Sequence, residues 1–486
     1  MTSQDDPLLN AYLASPDPDT TLREQLAAII ESRRADRTMT PPQQSNESLH
    51  LFLAGYAGAG NAGADIRVTE MIRQFRHVFG RNIRVVLSVI DPRLTGALPR
   101  DVELRDLTFL PRFLPAQIAQ CEVAVACEGS MFKSNFSDAI SLVMLGTLGL
   151  GVAEGKLAVG YGAEAGPLTP KMEVFAREYC RGALITCRSE SSHRRITNLG
   201  LRTAPGTDTA WTYEPADPCV AHRLLVESGW DGSAEIITVC PVNPFWWPVR
   251  PDPVRYAAWL REGLHDDYHY GFFYFHNDSP ENALRTRGYL ESLAGAVTAY
   301  CRERGAFPII VGMDKVDRMV CRQLTGILPF RCPVFANPDF TAAQLVALLR
   351  KSTVLVSSRF HAIVCAMPAA IPIIGISYDE RIENLLAEGG SPELILRADD
   401  CDLTERLLQT LGNLDSEKAA DCAERITSEN LRRLGDMTRD FADEVLRFGL
   451  SHEHPALGHG WEAHLPRLSK PLLDVLERHP PDINSC

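Results

Sequence analysis

Short apolar runs, many rich in β-branched residues and bounded by glycine or polar clusters, recur along the chain and alternate with stretches of helical period. Leu51-Phe52-Leu53-Ala54 is the first. Ile83 to Ile90, Val123 to Cys127, Leu157 to Gly160 and Ala183 to Cys187 follow. Apolar runs of about four to eight residues with such flanks read as buried strands. Between the first two, Ile66, Met71, Ile72, Phe75 and Phe79 give a helix an imperfect apolar side, which Gly80 can end. A second series starts at Glu235 to Cys240 and runs through Tyr270 to Phe275, a helix over 281–304 and Pro308 to Gly312. It goes on through a helix over 341–350 to Val354-Leu355-Val356 and Ile371 to Ile376. Strands alternating with helices predict parallel sheets covered on both faces. Ser416 to Arg447 is a long helical tract that can close the structure.

The fold class expected is α/β, with two Rossmann-like doubly wound domains facing a cleft. Residues 1–48 form an N-terminal extension and linker, in which Leu22 to Ser32 can make one short helix and Ala35 to Glu47 is polar and proline-containing. Residues 49–225 form the first domain. Pro215, Asp217, Pro218, Gly229 and Gly232 punctuate a boundary, and 234–450 form the second domain with its closing helices. Residues 451–486 read as a flexible tail.

Charge narrows the partners. The 486 residues carry a net charge of −13, which argues against nucleic acid and anionic membrane surfaces. An anionic ligand therefore needs a local basic pocket. Ile140 to Ala153 is apolar but short, and carries Gly146, Gly149 and Gly151, so it does not read as a membrane span. Met1 to Pro7 is polar and acidic rather than a secretory leader, and the thirteen cysteines contain no CxxC. A cytoplasmic protein with reduced, buried thiols is expected.

Candidate chemistry gathers at strand ends. Arg359, Phe360 and His361 stand at the corner after Val354-Leu355-Val356 and Ser357-Ser358. A permanent cation beside a group that titrates near neutrality suits anion binding with proton transfer, and ligands of parallel sheets collect at the carboxyl ends of strands. After the first strand, Gly58-Ala-Gly60-Asn61-Ala-Gly63-Ala-Asp65 contains a formal GxGxxG. It reads as a dinucleotide site, as backbone N–H groups offered to another anion or polar ligand, or as a tight turn. Asp91 ends the next strand, further from Gly63 than the usual spacing of about 20 residues. Glu128-Gly129-Ser130 with Lys133, Glu164, Arg188 with Ser189 to Ser192, and Asp208 with Trp211 mark other strand ends. Lys133, Arg188 and Arg250 are further anion contacts; Trp246 and Trp247 can stack on a sugar or pack internally. His265 and His269, and His452, His454, His459 and His464 in the tail, read as polar surface rather than metal ligands. No metal or organic cofactor is expected.

The ordered set of motifs resembles the polysaccharide pyruvyl transferase family. The family's G-Y-x-G-x-x-N-x-G-D loop is matched by Gly55-Tyr56-Ala57-Gly58-Ala59-Gly60-Asn61-Ala62-Gly63, its G-S turn by Gly129-Ser130, and its R-D-x-x-S segment by Arg188 to Ser192. D-x-A-F/W is matched by Asp208 to Trp211, R-L-H-A by Arg359 to Ala362, and P-x-I-x-I-x-Y-D by Pro372 to Asp379. The acid after the first loop is displaced to Asp65, Cys127-Glu128-Gly129 replaces GGG, and Arg188-Ser189 replaces Arg-Asp. The resemblance implies a GT-B-like pair of domains, with the acceptor on the first and the donor on the second. It implies transfer of a pyruvyl group from phosphoenolpyruvate to hydroxyls of a sugar or sugar-bearing metabolite, with release of phosphate. Arg359 and His361 are then the catalytic candidates. Gly58, Gly60, Asn61, Gly63, Asp65, Glu128, Ser130, Lys133, Arg188 and Arg250 are the substrate-binding ones. The alternatives are a GT-B glycosyltransferase using a nucleotide sugar and a non-catalytic member that binds a glycan or a protein.

Overall fold

Two parallel sheets carry the molecule in the computed structural model, which describes residues 6–36, 48–262, 268–450 and 457–481. The first sheet contains β1 (His50–Ala54), β2 (Arg84–Val89), β3 (Glu103–Asp106), β4 (Val123–Ala126), β5 (Leu157–Ala163), β6 (Leu184–Cys187) and β7 (Arg202–Pro205), ordered 3-2-1-4-5-6-7. Leu51 lies beside Val85 on one side and Val123 on the other, so the apolar centres of the strands coincide. The second chain segment contributes β8 (Ile236–Cys240), β9 (Arg250–Pro251), β10 (His269–Gly271), β11 (Tyr274–Phe275), β12 (Phe307–Gly312), β13 (Val334–Ala336), β14 (Val354–Ser357), β15 (Ile373–Ser377) and β16 (Ile395–Arg397). Six of these form the second sheet, ordered 13-12-8-14-15-16. Both strand orders reverse beside the first strand of their domain, which places a crevice at the carboxyl ends there.

The chain departs from the sequence reading in four places. Tyr270 to Phe275 does not join the second sheet; with β9 it forms a separate three-stranded antiparallel sheet, order 10-11-9. Gly271 and Phe272 turn the chain between β10 and β11, and Phe272 has φ +49°. Residues 18–35 are a helix, Pro18–Ala35, whose Leu22, Leu26 and Ile30 are buried in the first domain's core. They meet the helix Asp138–Ala153, which is apolar all round and needs cover on its outer side as well. The helix Pro218–Glu227 belongs with the second domain, where Ala221 and Leu225 join Leu345 and Leu348. Finally, the helix Ser416–Arg447 serves both cores. Its Ala423 and Ile426 pack in the second domain, and its Met437 and Phe441 pack in the first, with Phe441 4.9 Å from Phe75.

Part of the expected tail is also built in: the helix Lys470–Arg478 buries Leu472 and Val475. Most of the expected linker, His265, His452 and His454 lie outside the described residues. No helix among the described residues is long and apolar enough to cross a membrane.

Candidate functional site

The carboxyl ends of the two sheets face one another, and the side chains standing there make three buried charge clusters. The first is centred on Asp208, which follows β7 and is 1% exposed. Arg188, at the end of β6, reaches its Oδ2 with Nη2 at 2.7 Å. Arg67, on the helix Ala62–Phe79, approaches with Nε at 3.7 Å, and His361 of the second domain with Nε2 at 3.5 Å. Burial alone would raise the Asp208 carboxyl, but Arg188, His361 and Arg67 outweigh it and hold it well below the usual carboxylate range. Arg67 also donates to the carbonyl of Gly162 at 2.9 Å and to that of Tyr161. Among the described residues, nothing hydrogen-bonds His361 Nε2 or Arg67 Nε and Nη1, all of them buried.

Two glycines make this cluster possible. A Cβ at Gly63 would overlap the His361 ring, and a Cβ at Gly129 would overlap the Arg188 guanidinium. The family motif's glycines therefore admit side chains of the same site rather than only backbone freedom.

The second cluster surrounds Arg359. Its guanidinium is bonded to Asp317 and lies 3.8 Å from Asp314, both beyond the end of β12. Asp314 N donates to Asp317 at 3.0 Å, and Asn61 Nδ2 donates to Asp314 at 2.7 Å. Burial pushes the Asp317 carboxyl up to about 7 against the pull of Arg359, and raises Asp314 also. Burial disfavours the charged Arg359, yet Asp317 and Asp314 outweigh it and keep the guanidinium protonated.

The third cluster joins the domains further along the cleft. Lys133 Nζ lies 2.7 Å from Glu380 and 3.3 Å from Asp379. Beside it, Glu164 accepts from Ser189 at 3.0 Å, Ser192 at 2.7 Å and Asn384 at 2.8 Å.

The glycine loop is the hinge of these contacts. Gly58 N donates to Asp65 at 2.9 Å, and burial pushes that carboxyl up to about 7. Gly60 O accepts from Lys315 N and from Asn337 Nδ2, each at 2.8 Å, and Ala62 N donates to Met313 O at 2.7 Å. The loop's polar groups thus bond the second domain.

Of the residues singled out from sequence, Arg188, Arg359, His361, Gly58, Gly60, Asn61, Gly63 and Asp65 converge at the domain interface. Glu128 and Ser130 border it: Glu128 accepts from Gly129 N at 2.8 Å, and Ser130 is buried. Lys133 is wholly buried in its ion pairs. Arg250 is not brought in; it is exposed on β9, paired with Phe275 in the small sheet. Trp246 is core, stacked on His276 at 3.9 Å. Asp91 is paired to Arg93 at 2.7 Å.

Sequence reasoning assigned no role to Asp314, Asp317 and Arg67, and placed Asp208 in a motif without one. Asp314 follows Phe307–Gly312, so the strand-end rule that picked Arg359 also reaches it. Arg67 carries no such signal, because a polar residue on a helix reads as its solvent face.

Comparisons agree with this architecture. The family model described as "Polysaccharide pyruvyl transferase" matches residues 155–380. No curated protein matches the sequence. Anabaena HepE, solved in complex with UDP-glucose, is similar with a TM-score of 0.52 and 13% identity over 82% of this chain and 99% of that one. The UDP-GlcNAc 2-epimerase of Neisseria meningitidis bound to UDP-GlcNAc gives 0.47 and 10% over 82% and 99%. MnaA of S. aureus with UDP gives 0.47 and 10% over 84% and 99%. The likeness to HepE is one of fold, and the fold is GT-B-like. The matched stretch takes in the motifs from Arg188 to Asp379, and across residues 155–380 the chain is similar to the polysaccharide pyruvyl transferase family.

Proposed function

We propose that the protein transfers a pyruvyl group from phosphoenolpyruvate to two hydroxyls of a sugar, forming a cyclic ketal and releasing phosphate. The observation that carries this is the cluster at Asp208, where two arginines and a histidine from both domains surround one carboxylate. A ligand bearing a carboxylate and a phosphate needs such an excess of fixed cations, and guanidinium forks bind both groups well. Arg359 supplies a further cation across the cleft. When an anion arrives there, Asp317 gives up its share of the guanidinium and takes a proton.

The chemistry follows from these positions. Protonation of the donor's methylene carbon makes C2 electrophilic, and one sugar hydroxyl adds to it, losing its proton. A second hydroxyl then displaces phosphate from the same carbon, so the two new C–O bonds replace the C=C π bond and the C–O bond to phosphate. His361 is the proton carrier, because an imidazole both gives and takes a proton where the neighbouring guanidinium groups only donate hydrogen bonds. Asp208 Oδ2 lies 3.5 Å from its Nε2 and fixes which way the ring faces.

The test is phosphate release from phosphoenolpyruvate across a panel of sugars, with mass spectrometry for the added pyruvyl group. Phosphoenolpyruvate raises the melting temperature, Arg359→Ala abolishes the rise, and UDP-glucose produces none. Protection by UDP-glucose with no response to phosphoenolpyruvate overturns the reading in favour of a nucleotide-sugar enzyme.

A further inference from the structure

A groove of about 640 Å³ opens beside the charged interface, and none of the chemistry above uses it. One side of it is basic. Arg318 and Arg322 stand four residues apart on the helix Asp317–Ile327 and so share a face, and Lys315 stands just ahead of its first turn. Another side is aromatic. Tyr256 and Trp259, three residues apart on the helix Pro253–Glu262, stack on each other at 5.7 Å, and Trp259 stacks on His269 at 4.6 Å. The first domain contributes the chain from Ile90 to Leu94.

Charge in this groove is unbalanced. Arg93, Lys315, Arg318 and Arg322 line it against one carboxylate, Asp91, which Arg93 holds at 2.7 Å. Arg318 pairs with Asp339 at 2.9 Å. Among the described residues no carboxylate lies within ion-pair reach of Lys315 or Arg322, and Asp91 and Asp314 feel Lys315 only from further away. The chain as a whole carries −13, so cations left over in one groove set up a local field that draws an anion. The groove also adjoins the reaction site. Lys315 N donates to Gly60 O at 2.8 Å, and Asp314 before it belongs to the Arg359 cluster. Tyr270, a lining residue, stacks on Tyr56 of the glycine loop at 5.3 Å.

An occupant must offer a flat apolar face to the aromatic rings and an anion to the cations. A sugar ring bearing a carboxylate does both: its C–H face lies on the rings, and its carboxylate meets a guanidinium or ammonium group. Nucleic acid shares the two features, but the net charge of the chain opposes a polyanion. We propose that this groove binds an acidic saccharide, held by its carboxylate at Arg322 and Lys315 and by its ring on Trp259. Such a carboxylate has two sources, a uronic acid and a pyruvyl ketal already present on a glycan chain. The second makes the groove a rail for the enzyme's own product and rests on the pyruvyl-transfer reading; recognition of the acid does not. A chain held in this way presents its neighbouring sugar to the cleft.

The experiment is calorimetric titration of the full chain with methyl galactoside, with its cyclic pyruvyl ketal and with methyl glucuronoside. At low salt an acidic glycoside binds about tenfold tighter than the neutral one, as one charge-assisted hydrogen bond provides. The gain shrinks at about 1 M salt, where the Debye length falls to about 3 Å. Arg322→Glu removes the gain and leaves the neutral glycoside unchanged; the residue is exposed, so the melting temperature holds. Trp259→Ala weakens the neutral and acidic glycosides alike. The tighter of the two acids names the source. Equal affinity for neutral and acidic glycosides overturns the proposal. So does a preference that Arg322→Glu leaves intact, because the acid then sits at Asp208 or Arg359. An oligothymidylate that binds tighter than either acid overturns it in favour of nucleic acid. The thermal response to phosphoenolpyruvate is measured on the same protein. If that response persists without a preference for the acids, the groove proposal fails alone. If it is lost beside a preference that Arg322→Glu removes, the donor reading fails alone.

Discussion

The clusters at Asp208 and at Arg359 use the same two ingredients, guanidinium and carboxylate, in opposite proportions. At Asp208 two arginines and a histidine share one carboxylate, which is held well below its ordinary range. At Arg359 one guanidinium serves two carboxylates, and Asp317 is pushed up to about 7. Both sites are buried, so desolvation acts against charge in each; the count of opposite charges decides the outcome. One cluster has cation to spare, while the other is short of cation, and there the Asp317 carboxyl is raised. A buried ion pair by itself says little about function. The unequal pairing across one cleft is what makes these two informative.

The strongest way to break the comparison is at His361. His361→Gln is expected to lower kcat by about 10²–10⁴-fold. The melting-temperature rise with phosphoenolpyruvate should survive; a variant with near-normal turnover removes the proton-carrying role. Next in size is Arg188→Ala. Breaking a buried pair from one side costs about 3–5 kcal/mol, so the denaturation midpoint should fall markedly, and a neutral result would mean Arg67 suffices for Asp208. Third is the pH dependence set by Asp317. An unfolded aspartate titrates near pH 3.9, roughly as in model peptides, and the native group does so near 7. The native state therefore holds the extra proton between those values. The group's contribution to stability is full below about pH 4 and declines as pH rises toward 7, with a slope of at most about 1.4 kcal/mol per pH unit. Urea midpoints measured across that range should give a flatter curve for Asp317→Asn than for the parent protein. The smallest effect belongs to Arg250→Ala. This exposed residue outside both clusters should change stability by less than about 0.5 kcal/mol and leave turnover unaltered.

What could be read from sequence divides along physical lines. Every strand with neighbours on both sides in the two main sheets was recognisable, because burial on both faces writes an apolar run such as Val123–Ala126. The four edge strands, β3, β7, β13 and β16, were not. Glu103-Leu104-Arg105-Asp106 and Arg202-Thr203-Ala204-Pro205 face solvent and carry charge or proline, as edges do. In the site, Arg359 and His361 announced themselves at a strand-to-helix corner. Their carboxylate partners Asp317 and Asp208 come from distant positions, and pairing across such separations is set by domain packing rather than by local pattern. The Pro18–Ala35 helix was missed as a core element because its need for a partner is visible only once Asp138–Ala153 is known to be apolar on every side.

The helix Ser416–Arg447 has a mechanical consequence. It crosses between the domains beside another crossing of the chain, since Thr207 donates to its Asn430 and Trp211 Nε1 donates to Thr207 at 3.0 Å. The chain then crosses again, from Leu465 in the first core to Leu472 in the second. The small antiparallel sheet adds a further tie, with Phe273 and Tyr274 packed into the first domain's core. The cleft is thus laced shut by the chain on more than one side, and the charged groups of the two domains are held at a spacing that their own attraction does not have to set.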